Sequence, residues 1–211
     1  ALAAGAVLTG TELLLPVIRK LLADPAPFAA VQVAVAPRHM HRVQAWKEML
    51  GKHGLEFALR SQGSGGDTTA PQTEQPEPQA HGAPILLWDT FGEMQRLYAM
   101  ADAVFVGGSL APLGGQNFLE PLAEGLVPCV GPYIKNFLWV GEDIFTDGLA
   151  VKVSSGKELA PALLDRIAGG LAPEVRRAER EAIRKRFRAW LKPRTGGSLQ
   201  AAQEVLRQVR T

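Results

Sequence analysis

The chain reads as a doubly wound α/β domain built on a Rossmann-like parallel sheet. Three observations predict it. Short apolar, β-branched runs alternate with helical patterns along the chain. Several of those runs are continuously apolar, the pattern of strands buried on both faces. The composition, 46% hydrophobic and 21% charged over 211 residues, is that of a globular protein and excludes a disordered tail, a collagen and a disulfide scaffold.

The elements follow in order. The first 22 residues are apolar and Ala-rich, but they lack a basic n-region, and Glu12 and Pro16 interrupt them, so they do not read as a signal peptide. Strands are predicted over 31–36, 56–60, 85–88, 103–107, 127–131 and 149–153. A helix over 40–51 places Val43, Trp46, Lys47 and Leu50 at spacing i, i+3, i+4, i+7. A second over 92–101 puts Met94, Leu97, Tyr98 and Ala101 on one face, and helices over 117–125 and 158–168 follow the later strands. Residues 61–84 contain no Val, Ile, Leu, Met, Phe, Tyr or Trp. Such a stretch cannot bury enough apolar area to offset its ordering entropy, so it reads as a mobile surface insertion between two strands.

Residues 174–191 read as one amphipathic helix with an apolar stripe of Ile183, Phe187, Trp190 and Leu191, opening a helical extension over 174–211. Nine Lys/Arg and three Glu give 174–194 a charge of +6; the whole chain carries +2, so the remainder carries −4. A solvated helix packed across the domain edge and a basic face near anionic lipid both fit this pattern. Nucleic acid does not, because no binding motif and few interleaved aromatics are present. No run of 18 apolar residues exists to span a membrane. The single cysteine, Cys129, cannot form an internal disulfide, and its apolar strand is no setting for a nucleophile. No G-x-S-x-G elbow occurs. His39, His41, His53 and His81 lack zinc-type spacing, so no metal is expected.

In an open α/β sheet, ligands bind at the carboxyl ends of the strands, and three strand ends stand out. Pro37-Arg38-His39 offers a guanidinium, whose planar fork suits a phosphate; alone, a strand-end arginine is more often a surface residue than a ligand. Phe91-Gly92-Glu93 offers a glycine that lets a ligand approach the backbone and a carboxylate in the first turn of a helix, a pattern also explained by simple helix entry. The third segment is the most specific. Gly107, Gly108, Gly114 and Gly115 precede Gln116-Asn117-Phe118-Leu119-Glu120-Pro121 and a helix N-terminus. Exposed amides there, with the helix dipole, make an anion site. The loop is neither a lysine-bearing P-loop nor a G-x-G-x-x-G fingerprint. Asn117 and Glu120 are also spaced as a capping box, in which Glu120 would serve only backbone donors; otherwise it is placed to accept hydrogen bonds from ribose hydroxyls.

These segments, with Ala101–Leu110 and Gly131-Pro132-Tyr133-Ile134-Lys135-Asn136-Phe137, occur in an order that resembles the 3-deoxy-D-manno-octulosonic acid (Kdo) transferases over residues 1–170. The resemblance implies one half of a GT-B glycosyltransferase, the C-terminal domain that binds CMP-Kdo, with a lipid A precursor at the inner membrane as acceptor. It implies CMP contacts from Pro37, Arg38, Phe91, Gly92, Glu93, Gly114, Gly115, Asn117, Phe118, Leu119 and Glu120. Arg38 and the amides of 115–117 would hold the phosphate, Glu120 the ribose, and the backbone near Gly92 the cytosine. The family's catalytic carboxylate lies in an N-terminal acceptor domain with a membrane anchor. That domain has no counterpart in this chain, which begins at Ala1, so the expectation is nucleotide binding without turnover and without a metal. The sequence departs from the family pattern at three places: Gln116 stands for His, Phe91 for Met, and Leu8 for the histidine of a Thr-His-x-Gly-Glu-Glu segment. The rival readings are a UDP-sugar GT-B transferase or epimerase and a non-catalytic interaction domain. A diphosphate would want a second cation beside Arg38.

Overall fold

The computed structural model describes residues 2–4, 11–23, 31–63, 83–169 and 172–195. Among the described residues, seven parallel strands form two sheets. Strands β1 (Leu2–Ala4), β2 (Val33–Ala36), β3 (Phe57–Leu59) and β4 (Ile85–Leu87) pair in the order β1-β2-β4-β3. Strands β5 (Val104–Val106), β6 (Pro128–Val130) and β7 (Val151–Lys152) pair in the order β5-β6-β7. β1 lies beside β5, so the two sheets continue one another edge to edge. The chain winds outward from β1 on one side and returns to β5 on the other, and this reversal opens a crevice at the carboxyl ends of the strands.

Alternation along the strands divides the core. Val33, Val35, Ile85, Leu87, Phe105 and Cys129 face helices α1 (Thr11–Ala23), α2 (Val43–Lys52) and α6 (Gly156–Gly169). Ala34, Ala36, Leu86, Val104, Val106 and Val130 face α3 (Met94–Met100), α4 (Glu120–Ala123) and α7 (Pro173–Leu191). The single turn of α5 (Asp143–Thr146) precedes β7 and gives Ile144 to that second face. Helices on both faces of the sheet bury β2, β4, β5 and β6 completely, which is why these strands read as continuous apolar runs; the edge strands β3 and β7 are only partly buried.

The six predicted strands all form, each shorter than its apolar run. The sequence reading missed β1 and α1. In α1, Leu14, Val17, Ile18 and Leu21 at i, i+3, i+4, i+7 pack against the sheet and outweigh Pro16, which is exposed. The predicted insertion 61–84 differs at its start. Residues Arg60–Gly63 form a 3₁₀ turn anchored by Ser61, whose amide and hydroxyl donate to the Asp89 carboxylate at 2.8 and 2.6 Å. Residues 64–82, 196–211 and Leu8 lie outside the described residues.

Two arginines of α7, Arg180 and Arg184, reach back into the fold, while Arg177 and Arg188 are exposed. Arg180 donates to the carbonyls of Tyr98 (3.3 Å), Ala101 and Glu124 (3.4 Å), and Arg184 donates to Glu124 O at 3.1 Å. Those carbonyls lie at the C-terminal ends of α3 and α4, where intrahelical donors run out; Tyr98 O also accepts from the Ala101 amide at 3.3 Å. Arg176 pairs with Asp102 at 2.6 Å. Trp190 Nε1 donates to Asp143 Oδ2 at 2.7 Å, and Arg194 joins the same carboxylate.

Candidate functional site

A cleft of about 520 Å³ opens at the carboxyl ends of β2, β4, β5 and β6. β2 runs out at Ala36, and Pro37 and Arg38 form the first part of the rim. Arg38 is exposed and is the cation among the lining residues. β4 ends at Leu87, and Trp88 stays in register, its amide donating to Val35 O at 2.8 Å. The indole is 2% exposed and forms part of the floor. Behind it sits Arg60, itself 4% exposed, with its guanidinium 5.3 Å from the indole centroid.

The next segment places its three predicted residues differently. Phe91 is 87% exposed at the lip of the cleft. Gly92 has φ +83, and a Cβ built there would meet nothing within 4 Å, so the backbone is open to close approach. Glu93 does not line the cleft. Its carboxylate accepts from Arg60 at 3.2 Å, Arg96 at 3.4 Å and the Thr90 hydroxyl. With three donors it serves as the counter-ion that fixes Arg60 behind Trp88. It sits at the N-cap of α3 without capping it.

The glycine loop after β5 also differs from expectation. Gly115 N donates to Gly108 O at 2.9 Å and Gln116 N to Gly107 O at 3.2 Å. The loop folds back on itself, so those two amides are spent inside the protein rather than offered to an anion. The helix that follows is α4, a single turn of four residues beginning at Glu120, too short to sum a substantial dipole. The anion site drawn from helix dipole and loop amides is therefore corrected. Asn117 is not an N-cap either. Its Nδ2 donates to Glu120 Oε1 at 2.9 Å, and its Oδ1 accepts from Leu119 N at 3.1 Å. A side-chain pair replaces the capping box, and it leaves Glu120 directed to the cleft, which it lines with Gly115 and Asn117.

Gly114, Phe118 and Leu119 support the wall from behind. Phe118 is fully buried, its ring 5.3 Å from that of Phe137 and 6.3 Å from that of Phe145. Leu119 packs half-buried against the same core. Gly114, at φ +88, makes room for Asn136: a Cβ would lie 2.6 Å from the Asn136 Nδ2. Asn136 in turn donates from its amide to Gly114 O at 3.0 Å and from Nδ2 to Gly115 O at 3.3 Å. Ser109 locks the two loops together. Its hydroxyl donates to Val106 O at 2.7 Å and accepts from Gly131 N at 2.9 Å.

The sequence reading missed several lining residues: Trp88, Tyr98, Asn136 and Phe137. Asn136 and Phe137 stand in the 3₁₀ segment Lys135–Val140, and their signal was the motif 131–137, quoted without a role. Tyr98 was read as part of an apolar helix face. It is 5% exposed, and burial holds its phenol well above the ordinary tyrosine range, with the Glu120 charge adding to the effect. It therefore remains a hydrogen-bond donor at any physiological pH.

No protein-family model matches the chain. It is 34% identical over 176 residues to a 3-deoxy-D-manno-octulosonic acid transferase of Bordetella pertussis, covering 83% of this chain and 36% of that protein. It is 32% identical over 126 residues to the enzyme of the same description from Haemophilus influenzae, covering 60% and 26%. The chain thus spans about a third or less of these curated relatives' length. Among solved structures, the C-terminal CMP-Kdo binding domain of WaaA from Acinetobacter baumannii superposes with a TM-score of 0.66 at 23% identity, covering 86% of each chain. That likeness establishes a shared fold.

Proposed function

Because the chain belongs to the Kdo transferase family and has the fold of one GT-B half, we propose that it binds the donor nucleotide CMP-Kdo. The observation that carries this reading is the cleft itself: among the described residues it is lined by one cation, Arg38, and one carboxylate, Glu120, around an aromatic floor. A monophosphate needs one cation and a ribose one acceptor. The volume of about 520 Å³ suits a nucleotide-sized ligand.

In this reading Arg38 takes the phosphate with its planar fork. Glu120, oriented by Asn117, takes the ribose, and the open backbone at Gly92 lies along the cytosine. Phe91 and Gln116 stand at the cleft, where their departures from the family pattern bear on the ligand directly. Pro37 shapes the rim; Glu93, Gly114, Phe118 and Leu119 act from behind it.

In a whole transferase, a carboxylate of the N-terminal half would deprotonate an acceptor hydroxyl of a lipid A precursor at the inner membrane. That oxygen would attack the anomeric carbon as CMP leaves, inverting the centre in one displacement. Arg38 would stabilise the departing phosphate charge, and no metal is invoked. No described helix is long and apolar enough to cross a membrane.

Titration calorimetry with CMP and UDP tests the assignment. CMP should bind more tightly, and Glu120→Ala should weaken it by about 1–3 kcal/mol, the cost of losing a charged hydrogen-bond partner. Tighter binding of UDP would overturn the donor, and unchanged CMP affinity in the variant would overturn the role of Glu120.

A further inference from the structure

Tyr98 is a cleft residue that this account of the nucleotide leaves without a task. It comes from α3, whereas Glu120 comes from α4, and both line the cleft. Their spacing is fixed from outside. Arg180 of α7 bonds the carbonyls of Tyr98 and Ala101 on one side and of Glu124 on the other, so one guanidinium ties the ends of α3 and α4 together. Gln95 Nε2 adds a second tie to Glu124 Oε1 at 2.8 Å. The approach of α7 is close: a Cβ at Gly125 would lie 2.5 Å from Arg180 O. The Tyr98 hydroxyl has no hydrogen-bond partner among the described residues. Glu120 gives only Oε1 to Asn117.

We infer that Tyr98 and Glu120 together read a vicinal diol, the phenol donating to one hydroxyl oxygen and the carboxylate accepting from the other hydroxyl. The inference rests on the nucleotide reading above and deepens it, because it makes Tyr98 the residue that selects ribose over deoxyribose. A hydroxyl pair offers both donors and acceptors, and a deoxy sugar at the same place leaves one of the two protein groups unanswered. Burial and the neighbouring Glu120 charge keep the phenol protonated, so its donor character is permanent.

Calorimetry of CMP against its 2′-deoxy and 3′-deoxy forms, on the wild-type chain and on Tyr98→Phe, decides it. The wild type should prefer CMP, and Tyr98→Phe should shrink the preference by about five- to ten-fold against one of the two deoxy forms, the value of one hydrogen bond. A preference that is unchanged in the variant against both forms, or absent in the wild type, overturns the diol reading while leaving the nucleotide site standing. A wild type that binds no CMP overturns both. If Tyr98→Phe does not fold, tyrosine difference absorbance of the wild type is read instead. The chain has two tyrosines, Tyr98 and Tyr133. A band shift on adding CMP that is lost with one deoxy form supports the inference, and identical spectra with all three nucleotides overturn it.

Discussion

A serine hydroxyl that is 1% exposed decides the shape of one wall of the cleft. Ser109 holds Val106 O and Gly131 N at once, and the fit leaves no space at Gly131, where a Cβ would stand 2.1 Å from Ser109 O. Replacing Ser109 by Ala would strip the Gly131 amide of its acceptor in a buried place. We expect Ser109→Ala to lose about 1–3 kcal/mol of stability, measured by urea denaturation, because an unanswered buried donor carries its full desolvation cost. Single residues were also where the sequence was least informative. Arg38, Gly92 and Glu120 were legible because strand ends, a glycine and a carboxylate are recognisable in one dimension. Glu93 was legible as a residue but not as a contact. Its three donors come from Thr90, Arg96 and the distant Arg60, and no local spacing announces Arg60.

At the scale of elements, α7 ties α3 and α4 through Arg180. Burial and nearby Arg184 and Arg176 work against its charge, and Asp102 and Glu124 work for it. We expect Arg180→Met to destabilise the fold by about 1–3 kcal/mol, since the Ala101 carbonyl loses its donor while those of Tyr98 and Glu124 keep the Ala101 amide and Arg184; thermal or urea unfolding reads the change. Arg180→Lys should recover only part of it, because an ammonium lacks the planar fork. The charge arithmetic fitted both a helix packed across the domain edge and a basic face toward anionic lipid. Composition cannot tell whether a long arginine reaches toward water or back to a carbonyl, and here several reach back. Strand periodicity, by contrast, was read well because burial on both faces leaves an unambiguous apolar run. β1 escaped because Leu2-Ala3-Ala4 has no β-branched residue, and α1 because its apolar, Ala-rich stretch was weighed only against a signal peptide. The helix predicted over 117–125 shrank to Glu120–Ala123 because Asn117 and Phe118 are committed elsewhere, one to Glu120 and one to the core.

For the molecule as a whole, Cys129 and Tyr98 make alkaline pH the weak side of stability. Cys129 is fully buried on β6, and desolvation pushes its thiol from 9.0 up to about 11, with Arg166 opposing. Tyr98 moves upward too, through burial and then Glu120. In both the folded value lies above the unfolded one, so the native state holds its proton longer. The stabilisation is complete below about pH 9 and fades as pH rises through about 11 for the thiol, with Tyr98 adding to the loss at the upper end. Thermal midpoints measured from pH 7 to 11 should fall across that window by an amount equivalent to on the order of 2 kcal/mol, and Cys129→Ala should flatten the thiol's share.

The lock at Ser109 also makes the two sides of the crevice unequal. The β5–β6 side is set before any ligand arrives, whereas Arg38 and Phe91 stand in solvent on the facing lip. An incoming molecule costs the first side little configurational freedom and the second most of what it has. Discrimination among guests that share the same sugar then falls to the outer lip, according to how readily it can settle over each of them.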